Sequence, residues 1–311
     1  MTKSIHRVTT QIQEITSLTP TVKRFRLTDP DHWDLPPFTP GAHIDLHLPD
    51  GTIRQYSLCG DPADKTAYQI AVQLEPNGRG GSKAMHELEL EQELLVSLPR
   101  NLLPLVEAPQ VVLIAGGIGI TPFIPMIHQL QRAGRAFALH FASRSENATP
   151  LAGELTNLCP DQVSFYHGDT GTRLNIEQII AGLGEADHLY CCGPARMIDE
   201  VLDRTPDMAD RVHVEAFGPN AVPQQTAYQI HLARSNRTLP VAEGQTMLEA
   251  LRSAEIAVPA SCEGGICLDC KTAYLEGTPV HRDITMPKSD RKRFLTPCVS
   301  GCSGHSITLD L

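Results

Sequence analysis

The sequence predicts a multidomain chain with three fold classes in series: an antiparallel β-barrel, a doubly wound α/β nucleotide-binding sheet and a small α+β unit. Three observations predict it. Short runs of alternating apolar residues, punctuated by proline and glycine, fill the first third. A continuous apolar run at 111–115 ends in a glycine turn and leads into a helical pattern. The last third carries Cys262, Cys267 and Cys270, spaced by four residues and then two, with a distant Cys298. Domain bounds of 1–104, 105–222 and 226–311 follow, and the aperiodic stretch 219–225 reads as a linker.

Length and composition bound the class. At 311 residues, with 41% hydrophobic and 20% charged, the chain suits two or three globular domains. A net charge of -10 argues against nucleic acid as a partner, since phosphate backbones demand basic surfaces. Lys and Arg number 10 against 13 Asp and Glu in 1–104, 7 against 14 in 105–225 and 9 against 9 in 226–311, so the middle carries most of the acid. The run 111–120 is too short and glycine-broken to span a bilayer, and residues 1–10 lack the apolar core of a signal peptide. A cytoplasmic enzyme is the expectation. In that compartment Cys59, Cys159, Cys191, Cys192 and Cys302 are thiols rather than disulfides.

In residues 1–104 the alternating runs 22–27, 43–48, 68–74 and 94–98 predict antiparallel strands, with Pro36, Pro37, Pro40 and Gly41 at a turn. Arg54, Gln55, Tyr56, Ser57 and Leu58 place a cation, an aromatic and a hydroxyl along one strand. A flavin mononucleotide asks for those groups: charge for its phosphate, an aromatic against its ring, polar contacts at its edge. Downstream, Gly80, Gly81 and Ser82 lead into a helix predicted over 83–90, with Ser82 as its cap and as a phosphate ligand. The alternatives are surface decoration for the first motif and an ordinary hairpin turn for the second.

In residues 105–225, Gly116, Gly117, Gly119, Thr121 and Pro122 follow the apolar run, and 123–132 has helical spacing. Strand, glycine turn and helix are what a pyrophosphate site requires, although the third glycine of the dinucleotide fingerprint is lacking. Segments at 136–142, 162–167, 176–181 and 188–192 continue the strand and helix alternation. The last strand ends in Cys191, Cys192, Gly193 and Pro194, at the edge where such sheets bind ligands. Cys192 reads as a nucleophile or as a small polarizable neighbour of a nicotinamide, and the absence of a tied histidine base favours the second. Phe217 is either plain core or an aromatic lid.

In residues 226–311, strands at 228–233 and 237–241, a helix at 247–255 and a final strand within 303–311 surround the cysteines. Their spacing is that of a plant-type [2Fe-2S] site, with Gly264 and Gly265 allowing the sharp wrap. Structural zinc uses paired short motifs that are not seen here, and stays the lesser alternative.

Taken over nearly its full length, the chain resembles phthalate dioxygenase reductase and related reductases of Rieske-type oxygenases. The resemblance rests on residues 54–59, 78–82, 97–101, 116–122 and 190–194, the cluster cysteines, and His281, Arg282 and Asp283. It implies FMN, NADH and a [2Fe-2S] cluster in a β-grasp-like ferredoxin domain, a monomer, and a Rieske-type oxygenase as acceptor. By similarity Arg54, Gln55, Tyr56, Ser57, Leu58, Gly80, Gly81 and Ser82 hold FMN, with Phe217 over the ring. Gly116, Gly117, Gly119, Thr121, Pro122, Ser143, Arg144, Cys192, Gly193 and Pro194 face NADH. Hydride and electrons pass between cofactors, so no acid or base residue is assigned.

Three departures from the family pattern stand out. Leu268 replaces the usual glycine after the second cluster cysteine, Gly301 and Cys302 make Cys302 a rival ligand, and Ser145 stands where NADH users often carry acid. A reductase for a cytochrome or diiron enzyme, and a non-catalytic cluster-bearing sensor, are the competing functions.

Overall fold

The computed structural model describes residues 7–49, 52–76, 78, 80–217, 226–260, 264–265, 268–283 and 285–311. The chain divides into two compact units, Met1–Ala216 and Phe217–Leu311. Among the described residues no helix is long and apolar enough to cross a membrane.

The first unit opens with β1 (Arg7–Thr19), β2 (Val22–Thr28), β3 (Ala42–His47), β4 (Ile53–Ser57) and β5 (Ala67–Gln73). A short α1 (Gly81–His86), β6 (Glu93–Ser97) and β7 (Arg100–Asn101) complete this part. The antiparallel strands run β4-β3-β6-β1-β2-β5, with β7 beside β3, and a bridge between Leu58 and Ile70 joins the two ends into a barrel. Alternation explains the closure. Ala42, Ile44 and Leu46 point into a core with Phe25, Leu27 and Ile70, each fully or nearly fully buried, while His43 and Asp45 lie on the opposite face, where His43 is also buried. The 13-residue β1 was not legible from apolar pattern, because glutamine, glutamate and threonine occupy most of its length.

Next come β8 (Gln110–Gly116), a 3₁₀ turn at Gly117–Ile120, α2 (Phe123–Arg132), β9 (Ala136–Ser143), α3 (Ala152–Leu158) and β10 (Val163–His167). They are followed by α4 (Ile176–Ala181), β11 (His188–Gly193), α5 (Ala195–Arg204) and β12 (Val212–Ala216). All five strands are parallel in the order β10-β9-β8-β11-β12, so the strand order reverses between β8 and β11. Apolar side chains cover both faces, α2 and α3 on one and α4 and α5 on the other. The outer side of the barrel joins the first face through Val22, Cys59 and Ala71. Polar ties add to it: Arg24 to Glu154 at 2.8 Å, Arg132 to Asp61 at 2.7 Å, and the Tyr190 hydroxyl donating to Pro104 O at 2.8 Å.

The second unit holds β13 (Tyr228–Leu232), β14 (Arg237–Val241), α6 (Met247–Ser253), β15 (Thr272–Glu276) and β16 (Pro279–Val280). It closes with β17 (Phe294–Leu295), β18 (Gly301–Cys302) and β19 (Ser306–Leu309). The main sheet runs β14-β13-β19-β15-β17, with β13 and β19 parallel. A capping box starts α6: Thr246 Oγ1 accepts from Glu249 N at 3.1 Å and Thr246 N donates to Glu249 Oε2 at 2.8 Å. Such a cap is worth about 1 kcal/mol and fixes where the helix begins. Leu248 N then donates to Pro297 O at 3.0 Å, which pins the segment carrying Cys298.

Candidate functional site

The carboxyl edge of the parallel sheet is assembled by backbone. A Cβ placed on Gly119 would stand 2.1 Å from Cys192 O, and one on Gly116 would meet Pro194 Cδ at 2.6 Å. Only glycine permits this approach. It brings the turn after β8 against the turn after β11, at the point where strand order reverses and ligands of such sheets bind. Gly117 takes a φ of 55°, the Thr121 hydroxyl closes the turn onto Ile118 O at 3.1 Å, and Pro122 precedes α2. A Cβ on Gly193 would be less crowded, 3.1 Å from Gly116 Cα.

Cys192 is fully buried, and burial, with Glu215 and Cys191 adding to it, pushes its thiol well up from the ordinary cysteine range. A protonated, enclosed thiol is no nucleophile. Its register partner on β12 is Glu215, 8% exposed, whose Oε2 accepts from Ser57 Oγ at 3.5 Å. Thus a hydroxyl from the barrel, a carboxylate from the edge strand and a thiol from the switch point meet in one place. Sequence reading missed Glu215, because a single glutamate in a strand gives no signal until β4 and β12 are brought together.

His43, opposite Ser57 on β3, was missed for the same reason. It is 2% exposed, neither ring nitrogen has a hydrogen-bond partner among the described residues, and burial followed by Arg100 brings its pKa down to about 4.

Along β4 the predicted residues separate by role. Arg54 lies over Gly81, where a Cβ would stand 2.3 Å from its Nε, so the guanidinium arm and the start of α1 form one corner. Tyr56 is half-buried against the barrel core, and burial raises its phenol to about 12. Gln55 faces Asp45 across the strands. Leu58 belongs to the core, with its N–H given to Ala42 O at 2.9 Å.

Ser82 is not the helix cap. The helix is Gly81–His86 rather than 83–90, its cap is Gly80 in the left-handed region at φ 87°, and no side chain caps it. Ser82 Oγ instead accepts from Glu75 N at 3.0 Å, tying the loop to itself.

Ser143 ends β9 in a small network with Thr149 Oγ1 at 2.6 Å and His167 Nδ1 at 3.0 Å. The Arg144 carbonyl accepts from Asp169 N at 3.0 Å. Phe217, read as core or lid, is 37% exposed, which removes the core reading.

In the second unit Cys270 and Cys298 are buried with their sulfurs 3.3 Å apart. A disulfide requires ~2 Å, and two thiolates at ~2.3 Å from one tetrahedral metal stand roughly 3.8 Å apart, close to the observed spacing. Cys262 and Cys267 lie outside the described residues. Cys298 sits in a tight turn in which Val299 N and Ser300 N both donate to Thr296 O. Cys302 is elsewhere, packed with Tyr228 and Ile230 and donating to Ser306 O at 3.3 Å. Leu268 has a φ of 60°, a backbone that explains why a glycine suits this place.

Comparison with known proteins agrees with both units. The 2Fe-2S iron-sulfur cluster binding domain family matches residues 230–302. The chain is 41% identical over 295 residues to phenoxybenzoate dioxygenase subunit beta of Ectopseudomonas oleovorans, covering 92% of each. It is 37% identical over 296 residues to phthalate dioxygenase reductase of Burkholderia cepacia, again covering 92% of each. A solved phthalate dioxygenase reductase structure superimposes with a TM-score of 0.83 at 35% identity, covering 98% of both chains. The chain belongs to the phthalate dioxygenase reductase family.

As a phthalate dioxygenase reductase family member it is a multidomain oxidoreductase whose cofactors are FMN, NADH and a [2Fe-2S] cluster. The residues fit each group. Arg54 over Gly81, with no acidic residue in the first turn of α1, suits a phosphate. The side-chain-free contact of Gly119 with Cys192 suits a pyrophosphate that backbone must approach. The paired sulfurs of Cys270 and Cys298 suit one iron.

Proposed function

We propose that this chain is the monomeric, cytoplasmic reductase of a Rieske-type oxygenase system, taking hydride from NADH and delivering electrons singly to the oxygenase component. The labour divides along 1–104 for FMN, 105–222 for NADH and 226–311 for the cluster. When bound, FMN accepts the electron pair and the cluster releases electrons one at a time. The observation that carries the reading is the meeting of Ser57, Glu215 and Cys192 beside the glycine turn, within one compact unit.

The chain's residues then bind, orient and exclude water. Arg54, Gly80, Gly81 and Ser82 hold the FMN phosphate, Gln55, Tyr56 and Ser57 contact its edge and ring, and Leu58 fixes the strand. Gly116, Gly117, Gly119, Thr121 and Pro122 admit the NADH pyrophosphate, and Ser143 and Arg144 meet its adenosine end. Cys192, Gly193 and Pro194 form the nicotinamide wall, while Phe217 covers the flavin. Cys262, Cys267, Cys270 and Cys298 ligate the iron. Glu215 orients the Ser57 hydroxyl, so positioning rather than proton transfer is the protein's part.

Anaerobic mixing of the holoprotein with NADH, then with a purified Rieske-type oxygenase component, tests this. Flavin bleaching followed by reduction of the Rieske chromophore is expected. Electron delivery to a cytochrome but not to the Rieske component would sink the assignment, and light scattering at a single 34.0 kDa mass tests the monomer.

A further inference from the structure

His281, Arg282 and Asp283 have no part in the chemistry above, yet they are bolted into the cluster domain at several points. Arg291 Nη2 donates to Asp283 O at 2.7 Å and to Asp283 Oδ2 at 2.9 Å. Arg282 Nη1 donates to Val299 O at 3.1 Å, next to Cys298. His281 Nδ1 stands 3.5 Å from Asp283 Oδ1. The Asp283 side chain is 0% exposed and Arg291 is 31% exposed, so a carboxylate has been taken out of water beside a guanidinium.

The backbone of Asp283 faces the 264–265 turn. Gly265 has a φ of 76°, and a Cβ there would stand 2.7 Å from Val299 Cγ2 and 3.0 Å from Asp283 Cα. The glycine turn is therefore pressed between the neighbour of one iron ligand and the backbone of Asp283. A buried ion pair adds little net stability over an apolar pair, but removing one partner strands a charge. Its use here is geometric: moving Asp283 releases the wall against which the turn is folded.

We propose that Asp283 and Arg291 form a clamp that positions the 264–265 turn of the cluster loop, keeping the iron site closed. Both are positioning residues, and the proposal rests on the reading of Cys262, Cys267, Cys270 and Cys298 as ligands.

The test uses the whole holoprotein with Asp283→Asn, Arg291→Met, the double variant and Gly265→Ala. Iron and acid-labile sulfide are counted, loss of cluster absorbance under EDTA is timed, and the dithionite-reduced samples are examined by EPR. Flavin absorbance in each verifies that the first unit has folded. Each single variant is expected to lose its cluster at least tenfold faster than the wild type, with shifted g-values in the fraction still loaded. The double variant, carrying no stranded charge, is expected to lose it more slowly than either charge variant.

Wild-type loss rates and an unshifted spectrum in both charge variants would overturn the clamp. A purely stabilising role would lower the melting temperature and leave the spectrum of the loaded fraction unmoved, which overturns it as well. If the single variants emerge without any cluster, Arg291→Lys, which keeps the charge, must retain it with only a few-fold faster loss, or the clamp fails. A wild-type protein isolated without iron defeats the ligand reading and the clamp with it.

Discussion

Ser57 and Glu215 lie 158 positions apart in the chain and 3.5 Å apart in space, a barrel hydroxyl donating to a carboxylate on the edge strand of the parallel sheet. The contact spans the seam between the two sheets of the first unit. Hydride transfer requires donor and acceptor atoms within about 3–3.5 Å and aligned, so a bond that fixes one sheet's site against the other's has direct kinetic weight.

Ser57→Ala and Glu215→Gln are therefore expected to slow flavin bleaching by NADH about tenfold or more, measured on the flavin-loaded fraction of each variant. Stopped-flow absorbance measures it. A double variant close to the slower single shows that the two act as one unit.

Gly119→Ala drives a methyl group into Cys192 O, which stands 2.1 Å from the Cβ position. Backbone cannot give way cheaply, and a loss of about 1–3 kcal/mol is expected. Calorimetry would register this as a fall of several degrees in Tm, accompanied by a raised KM for NADH.

His43 gives the stability a pH dependence of known sign. The folded state keeps it neutral down to about 4, whereas an unfolded histidine takes a proton near 6.5. Between those values the unfolded chain binds more protons, so stability rises with pH from about 4 to 6.5 and is level above. The group's share is about 3 kcal/mol. Denaturant melts of His43→Gln across this range should be flatter than those of the wild type.

Leu268→Gly removes a side chain from a left-handed backbone and is expected to stabilise the second unit by about 1 kcal/mol with the cluster retained. Urea denaturation followed at the cluster absorbance reports it.

Cys298→Ser is expected to abolish the cluster while Cys302→Ser keeps it, because the sulfur of Cys298 and not that of Cys302 stands beside Cys270. Iron analysis separates the two outcomes.

The fold classes were legible wherever one physical signal dominated. Helix α2 and strand β14 matched their sequence-read bounds, and the buried strand β8 declared itself by an unbroken apolar run. Strand β1 did not, since polar residues separate Val8, Ile12 and Ile15 on its core-facing side, and Gly80 displaced Ser82 as cap because the serine found a partner at Glu75. At the site, motifs built from local backbone needs could be read directly: the glycines for close approach, the cysteines for metal. Glu215 and His43 could not, because each acquires meaning only from a residue on another strand.

The backbone contact of Gly119 with Cys192 bars a side chain at position 119 of the switch point. The ends of β9 and β10, where Ser143, Arg144 and Asp169 stand, carry side chains that substitution can vary. A substitution at those three positions leaves the contact of Gly119 with Cys192 untouched.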